Sequence, residues 1–301
     1  MKPALRVAAV LLAAGSGSRL GTLPKSLLQL DAEPLIRRLV RALQAAGVQD
    51  VVVVLGQHAD LIEPVLQGLA VRRVHNPRPG DGAVSSQRLG LAALASFDAV
   101  IVALADQPLI DAADITALIQ AFAQRGAGVG VLYPQVDETR GNPVIFSAAV
   151  CRDILAGPAD FGCRQWQEAN PQHVLTWLTP NRHYVIDIDT PEDMQLFEHE
   201  QGRALRWPAA AVPVFHNLAS SRFELQIEGQ LSRCDYRRDG DVLALVHTGV
   251  PSALEGRGIA ASLVGAALAY ARSEGLRVRP VCSYVAAYMH RHPETADLLA
   301  P

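Results

Sequence analysis

The stretch VAAVLLAAGSGSRLGTLPKSLL, residues 7–28, decides the fold. An apolar run from Val7 to Leu12 leads directly into a loop that contains three glycines and two cations (Gly15, Gly17, Gly21, Arg19 and Lys25). A short run that is apolar throughout indicates a strand buried on both faces. Glycines directly after such a strand let backbone N–H groups approach phosphate oxygens. The stretch therefore predicts a phosphate-binding loop at the carboxyl end of the first strand of a parallel sheet.

The spacing of the glycines excludes two common phosphate-binding motifs. The loop lacks the G-x-x-x-x-G-K-[ST] pattern, and its G-x-G-x-x-x-G spacing is one residue away from the dinucleotide fingerprint. Arg19 and Lys25 can neutralise the β- and γ-phosphates of a nucleotide as they depart. The alternative is a flexible turn between strand and helix with solvated charges.

Short apolar runs alternate with helix-period segments from the start of the chain to about residue 200. Strands are predicted at Val7–Leu12, 51–55, 71–74 and 99–104, and amphipathic helices at 35–46 and 111–124. This alternation predicts an α/β fold, a Rossmann-like, mainly parallel sheet with helices on both faces. Ligands of such sheets bind beyond the carboxyl ends of the strands.

The composition changes after residue 200, and we divide the chain accordingly. Residues 1–200 form the first predicted domain, the Pro/Ala-rich residues 201–213 a linker, and residues 214–301 a smaller α+β domain. The last part contains three hairpin-like strands, a glycine-rich turn, a helix at 259–273 and a final strand at 278–282.

Composition and charge restrict the class of partner. The 301 residues are 50% hydrophobic, which suffices for buried cores, and the net charge of −3 comes without a dense basic block. We therefore expect small-molecule substrates, with neither nucleic acid nor a membrane as partner. The four cysteines are scattered and form no C-x-x-C pair, which fits reduced thiols and a cytoplasmic location.

Three aspartates are candidate metal ligands. Asp106 follows the fourth predicted strand, where a carboxylate can hold Mg²⁺ against nucleotide phosphates. Asp187 and Asp189 alternate with isoleucines, so we expect both carboxylates on one face of a strand, and either can complete the site. The alternative for Asp189 is a helix cap before Thr190 and Pro191.

Residues 12–25 resemble the signature of the MobA-like NTP transferase superfamily, in particular its molybdenum cofactor cytidylyltransferase branch. The segments 76–91 (NPRPGDGAVSSQRLGL), 105–108 (ADQP), 140–146 (RGNPVIF) and 187–193 (DIDTPED) resemble further landmarks in the same order. The resemblance implies a Mg²⁺-dependent nucleotidyltransferase with Arg19, Lys25 and Asp106 in catalysis. It also implies nucleotide contacts along the strand end and loop (Leu12, Ala13, Ala14, Gly15, Ser16, Gly17 and Ser18).

The base and the acceptor follow only from the resemblance. The guanylyl branch usually has glycine at the position of Ala14, where a Cβ would crowd a purine, so CTP is favoured. The acceptor implied is the molybdenum cofactor, with a molybdoenzyme or its chaperone as protein partner. A sugar phosphate or polyol phosphate is the alternative acceptor, because one fold serves many substrates.

Residues from about 223 onward resemble small GNAT-type acetyltransferase domains. The match lies in the turn before the long helix (Gly256, Arg257, Gly258 and Ala260), where helix N–H groups would bind the pyrophosphate of acetyl-CoA. Glu255 departs from the pattern, because the superfamily prefers Gln or Arg there. A second reading therefore makes this domain a non-catalytic docking or sensor module.

Overall fold

The computed structural model describes residues 5–15, 24–208, 214–227, 229–255 and 258–300. The chain forms two compact units, Met1–Arg206 and Trp207–Pro301. Within the described residues, no helix is long and apolar enough to cross a membrane. All four cysteines are free thiols.

The first unit is built from short strands and helices in alternation. Its strands are β1 (Val7–Ala13), β2 (Gln29–Leu30), β3 (Glu33–Pro34), β4 (Asp50–Leu55), β5 (Arg72–His75), β6 (Ala99–Leu104), β7 (Val131–Val136), β8 (Thr139–Arg140), β9 (Val144–Ser147), β10 (Val174–Leu178) and β11 (Leu205–Arg206). Its helices are α1 (Leu35–Ala45), α2 (Ala59–Ile62), α3 (Ala83–Ala93), α4 (Ala112–Ala123), α5 (Ala148–Ala156), α6 (Cys163–Ala169) and α7 (Pro191–Gln201).

The main sheet has the strand order β10-β7-β9-β6-β1-β4-β5, and β8 pairs with β7. Strands β5, β4, β1 and β6 are parallel to one another, whereas β9 runs antiparallel between β6 and β7. Consecutive residues of β1 point to opposite faces of the sheet, yet Ala8 to Leu11 are all buried, so both faces are covered. The predicted fold class is therefore confirmed.

Helices α3, α5 and α6 cover one face of the sheet. Side chains on this face of β1, β4 and β6 form a continuous apolar core with them, in which Leu91, Val150 and Trp166 take part. Helix α3 lies closest to the strands: a Cβ added at Gly90 would stand 2.3 Å from Val10 Cγ1 and 2.9 Å from Val54 Cγ2. Only glycine lets α3 approach the sheet this closely.

The end of the first unit differs from the expected boundary at residue 200. Strand β11 falls within the expected linker, yet it pairs antiparallel with β2, which pairs in turn with β3. The buried side chain of Leu205 explains why the chain continues this far in the first unit. Residues 209–213 of the expected linker lie outside the described residues.

The second unit has one sheet of five strands in the order β12-β13-β14-β15-β16. These are Phe215–Asn217, Arg222–Ile227, Gln230–Asp239, Val242–Gly249 and Arg277–Pro280, and only the last pairing is parallel. Helices α8 (Ile259–Ser273) and α9 (Ser283–Arg291) complete it. The final strand ends before the expected residue 282, because the backbone N–H groups of Val281 and Cys282 both donate to the carbonyl of Leu245.

We predict that Gly90→Ala destabilises the protein by about 1–3 kcal/mol, because the added methyl group forces α3 away from Val10 and Val54. Gly126→Ala is the matched control, since a Cβ there meets no described atom within 4 Å. Differential scanning calorimetry of the full chain measures both variants. Equal unfolding temperatures for the two variants would contradict the close packing of α3.

Candidate functional site

The site lies where the strand order of the main sheet reverses. Strand β1 connects to β4 on one side and pairs with β6 on the other, so a crevice opens beyond the carboxyl ends of β1 and β6. A cavity of about 520 Å³ occupies this crevice, which we call the first cavity. Its lining includes both strand ends, the start of α3 and the segment from Pro24 to Ser26.

Four of the seven predicted nucleotide contacts line the first cavity: Leu12, Ala13, Ala14 and Gly15. The other three, Ser16, Gly17 and Ser18, and the predicted catalytic residue Arg19 lie outside the described residues. Ala14 is held firmly against the next strand end, because a Cβ added at Gly56 would stand 2.7 Å from the carbonyl oxygen of Ala14. The position of the Ala14 Cβ at the cavity wall is therefore fixed.

Lys25 links two of the predicted carboxylates. It begins a short 3₁₀ turn after Pro24, and its side chain is only 15% exposed. Its Nζ donates a hydrogen bond to Asp189 and stands 3.9 Å from Asp106 Oδ2. The structure therefore brings Lys25 together with Asp106 and Asp189, which lie 81 and 164 positions after it in the sequence.

The segment 186–189 is extended but forms no strand, so the predicted strand there is wrong. It follows a 3₁₀ helix at Arg182–Val185 and has no neighbouring strand to pair with among the described residues. The cap alternative for Asp189 is also wrong, because Thr190 caps α7: its Oγ1 accepts a hydrogen bond from the Asp193 N–H. The Asp189 carboxylate accepts a hydrogen bond from Lys25 Nζ.

The carboxylates carry more negative charge than Lys25 neutralises. Burial raises the pKa of Asp106, and the ammonium group of Lys25 opposes this rise. Burial, and then the charges of Asp106 and Asp189, raise the pKa of Asp187 to about 6. The Asp187 side chain is exposed to solvent, and the like charges of Asp106 and Asp189 favour its protonated form. Among the described residues, three carboxylates thus lie near the ammonium group of Lys25, a set of oxygen ligands that suits a divalent cation.

Asp106 fits the role of a metal ligand on a second ground. Its Oδ1 is buried and finds no hydrogen-bond partner among the described residues. A buried carboxylate oxygen without a partner carries a large desolvation cost, which a bound Mg²⁺ would offset. Asp106 and Asp189 are thus suited to hold the ion, with Asp187 beside them.

A second acidic group in the first unit has a structural role instead. Oxygen or nitrogen atoms of Asp111, Asp114 and His183 all lie within 4.8 Å of one another. However, Asp111 and Asp114 cap each other's backbone N–H groups at the start of α4. Asp114 also accepts from His183 Nδ1 at 2.9 Å and from Asn181 Nδ2 at 2.6 Å. Its oxygens are therefore already used within the fold.

Sequence reasoning missed the polar residues around the start of α3. Ser86 is buried and lines the first cavity, and its Oγ accepts from Asn76 Nδ2 at 2.9 Å. No acceptor for the Ser86 hydroxyl proton is found among the described residues, so the hydroxyl can donate to a ligand. Gln57 lines the same cavity. The segment 76–91 was recognised as a whole, but nothing in its pattern distinguished Ser86 from Ser85.

A second cavity, of about 650 Å³, adjoins the first. Its lining comes from β7, β9, α6 and β10 and includes residues of the RGNPVIF segment, namely Arg140, Asn142, Val144 and Phe146. Leu12 and Leu104 line both cavities, so the two share a wall at the ends of β1 and β6. The arrangement offers separate chambers for two substrates.

The predicted ligand turn of the second unit is only partly described. Gly258 is the N-cap of α8 with a left-handed backbone (φ +78°), and Ala260 lies in the first turn of this 15-residue helix. Gly256 and Arg257 lie outside the described residues. Glu255 is exposed at the end of a short 3₁₀ helix.

The glycine-bearing strand end, the lysine and the carboxylates at a switch point define a nucleotide-binding α/β protein of the nucleotidyltransferase class. Residues 9–174 match the family model described as MobA-like NTP transferase domain, and the chain belongs to this family. Residues 222–298 match the model described as GCN5-related N-acetyl-transferase, so the second unit is GNAT-like. Both predicted resemblances are confirmed.

Two curated relatives share about 30% identity with the first unit. One is the nicotine blue oxidoreductase of Paenarthrobacter nicotinovorans, 30% identical over 194 residues, which are 62% of this chain and 94% of that protein. The other is the bifunctional protein GlmU of Syntrophomonas wolfei, 30% identical over 139 residues, or 46% of this chain. The chain spans 30% of the length of that GlmU.

Solved structures show the same fold for the first unit. A nucleotidyl transferase from Methanothermobacter thermautotroptrophicus superposes with a TM-score of 0.55 at 23% identity, over 65% of this chain and 97% of that one. An Rv0371c homologue from Mycobacterium sp. strain JC1 gives 0.52 at 25% identity, over 65% and 96%.

Proposed function

We propose that the first unit is a Mg²⁺-dependent nucleotidyltransferase that moves a nucleoside monophosphate, preferentially CMP from CTP, onto the phosphate of the molybdenum cofactor. The observation that supports it most strongly is the meeting of Lys25, Asp106 and Asp189 beside the first cavity. A sugar phosphate or polyol phosphate is the alternative acceptor.

The reaction needs positioning and charge compensation more than a protein nucleophile. An oxygen of the acceptor phosphate bonds to the α-phosphorus, the bond to the bridging oxygen breaks, and pyrophosphate leaves with the electron pair. Asp106 and Asp189 would hold Mg²⁺, which would supply charge neutralisation on the phosphates. Lys25 exchanges its carboxylate partners for phosphate oxygens, and Arg19 is placed by sequence in the same loop.

The base assignment rests on the wall of the first cavity. The fixed Cβ of Ala14 reduces the room for a purine, and the Ser86 hydroxyl offers a hydrogen-bond donor to a pyrimidine acceptor such as the O2 or N3 of cytosine. The acceptor belongs in the second cavity, which shares Leu12 and Leu104 with the first.

One relative carries the name of an oxidoreductase, so the fold alone does not fix the chemistry. Nucleotide transfer releases pyrophosphate and would need the carboxylates to hold the metal ion. A redox reaction releases no pyrophosphate. The following substitution separates the two activities.

Asp106→Asn is expected to lower NTP-dependent pyrophosphate release at least about 100-fold, because the variant keeps the size of the side chain but loses the charge that holds the metal. Pyrophosphate is measured with CTP, Mg²⁺ and acceptors that include molybdenum cofactor and sugar phosphates. Asp153→Asn, an exposed position on α5, is the matched control and should leave the rate unchanged. Pyrophosphate release by Asp106→Asn at the control rate would refute the assigned site.

Ala14→Gly should shift base preference from CTP toward GTP by about tenfold in kcat/KM, since one methyl group in a pocket is worth roughly 1–3 kcal/mol. The measurement is a panel of CTP, UTP, ATP and GTP with both proteins. If the wild-type protein prefers GTP over CTP, the base assignment is wrong. If Ala14→Gly leaves the ratio of kcat/KM for CTP and GTP unchanged, Ala14 does not select the base.

For the second unit, we propose binding of acetyl-CoA at the N-terminus of α8, with amine acetylation as its activity. The family match over residues 222–298 and the helix N-terminus after Gly258 support this. The alternative is a docking module that delivers product to a molybdoenzyme or its chaperone.

Ala260→Glu is expected to weaken acetyl-CoA binding to the full chain at least about tenfold, because the new carboxylate repels the pyrophosphate at the start of α8. Ala269→Glu, exposed near the other end of the helix, is the control. Isothermal titration calorimetry gives both affinities. If the wild-type protein gives no heat of binding with acetyl-CoA, the proposal fails and the alternative of a docking module remains.

A further inference from the structure

We propose that Arg140 forms an anion-binding subsite in the second cavity that holds the phosphate group of a phosphorylated acceptor. This inference rests on the proposed function, because it assigns the acceptor to that cavity. It adds a residue that recognises the acceptor's charge.

Arg140 is the charged lining residue of the second cavity that forms no ion pair among the described residues. The other two, Arg164 and Glu168, pair with each other at 2.9 Å on α6. Loss of hydration is the largest cause that lowers the pKa of Arg140; Arg164 lowers it further, whereas Tyr133 and Glu168 raise it. A guanidinium group stays charged under such conditions, so two arginines and one glutamate give the lining of the second cavity a net positive charge.

Neutral groups hold the guanidinium of Arg140 in place. Its carbon Cζ lies 4.1 Å from the centre of the Tyr133 ring, and its Nη2 donates to Gln167 Oε1 at 2.5 Å. Gln167 is itself buried and anchored, because its Nε2 donates to the carbonyl of Cys163 at 2.8 Å. One face and one N–H of the guanidinium are thus used, and the remaining N–H groups are available for a ligand.

The backbone that carries Arg140 is tied to the metal-binding side of the site. Gln107, the neighbour of Asp106, is buried and donates from Nε2 to the carbonyl of Asn142 at 3.0 Å. The Asn142 N–H donates to the carbonyl of Tyr184 at 2.8 Å. At Gly141, an added Cβ would stand 2.6 Å from that same carbonyl oxygen. Arg140 therefore has a fixed position relative to Asp106, as an in-line transfer requires.

The chemistry of the subsite selects a phosphate over an uncharged group. A planar guanidinium binds two oxygens of a phosphate at once, which gives both charge and direction. Another part of the cavity wall is apolar, at Val144, Phe146 and Val174, and suits the body of an organic phosphate.

The first test is kinetic. Arg140→Gln should raise the KM for the phosphorylated acceptor about 10- to 100-fold while the KM for CTP stays within about twofold, because charged hydrogen bonds are lost only on the acceptor side. Arg140→Lys should recover only part of the loss, since an ammonium group lacks the planar fork. Arg152→Gln, an exposed arginine on α5, is the matched control. An unchanged acceptor KM in Arg140→Gln would overturn the proposal.

The second test does not depend on turnover. Phenylglyoxal modifies accessible arginines, and mass spectrometry gives the rate for each residue of the full chain. Inorganic phosphate and glucose 1-phosphate, tested as separate probes, should slow modification of Arg140 at least about threefold and leave Arg152 unaffected. Protection by glucose 1-phosphate but not by inorganic phosphate would identify an organic phosphate as the ligand.

Equal modification of Arg140 with and without both probes would refute the subsite. If wild-type protein releases no pyrophosphate with any acceptor while Arg140 is protected, the proposed function fails and the anion subsite stands. The two conclusions are thereby separated.

Discussion

The parallel pairing of β1 with both β4 and β6 is the constraint on which the rest of the first unit depends. It places the carboxyl ends of β1, β4 and β6 at the same edge of the sheet, so the segments that follow β1 and β6 begin beside each other. Since β1 is buried on both faces, a shift of its register would expose or overcrowd apolar side chains on both sides of the sheet. The first cavity and the approach of α3 at Gly90 both follow from this pairing.

Electrostatics at the edge of this sheet explains how one small loop can serve a highly charged substrate. Lys25 lies among carboxylates and so occupies the place that a cation would otherwise take. In the proposed reaction, a nucleotide that arrives with a divalent ion would bring charges of both signs. Its phosphates would attract the lysine and the ion would attract the carboxylates, so the exchange would keep the charges paired.

The sequence predicted the elements whose patterns are local, and it missed what depends on tertiary contacts. Strand β6 and helix α8 lie within the expected bounds because apolar runs and helical periodicity signal them directly. The segment 186–189 alternates like a strand but has no strand to pair with in the part of the chain that the structure describes, which only the topology reveals. Ser86 and Arg140 lie in recognised segments, yet their roles depend on Asn76 and Gln167, and no local pattern connects these pairs.

The shared wall of Leu12 and Leu104 also bears on water. Two aliphatic side chains stand between the chambers, and neither can hold a solvent molecule by hydrogen bonding. A solvent molecule at this junction would be the natural competitor of the acceptor, because it too can attack an activated phosphorus. In the proposed reaction, this apolar partition would discourage such hydrolysis and leave the nucleotide intact until the acceptor binds.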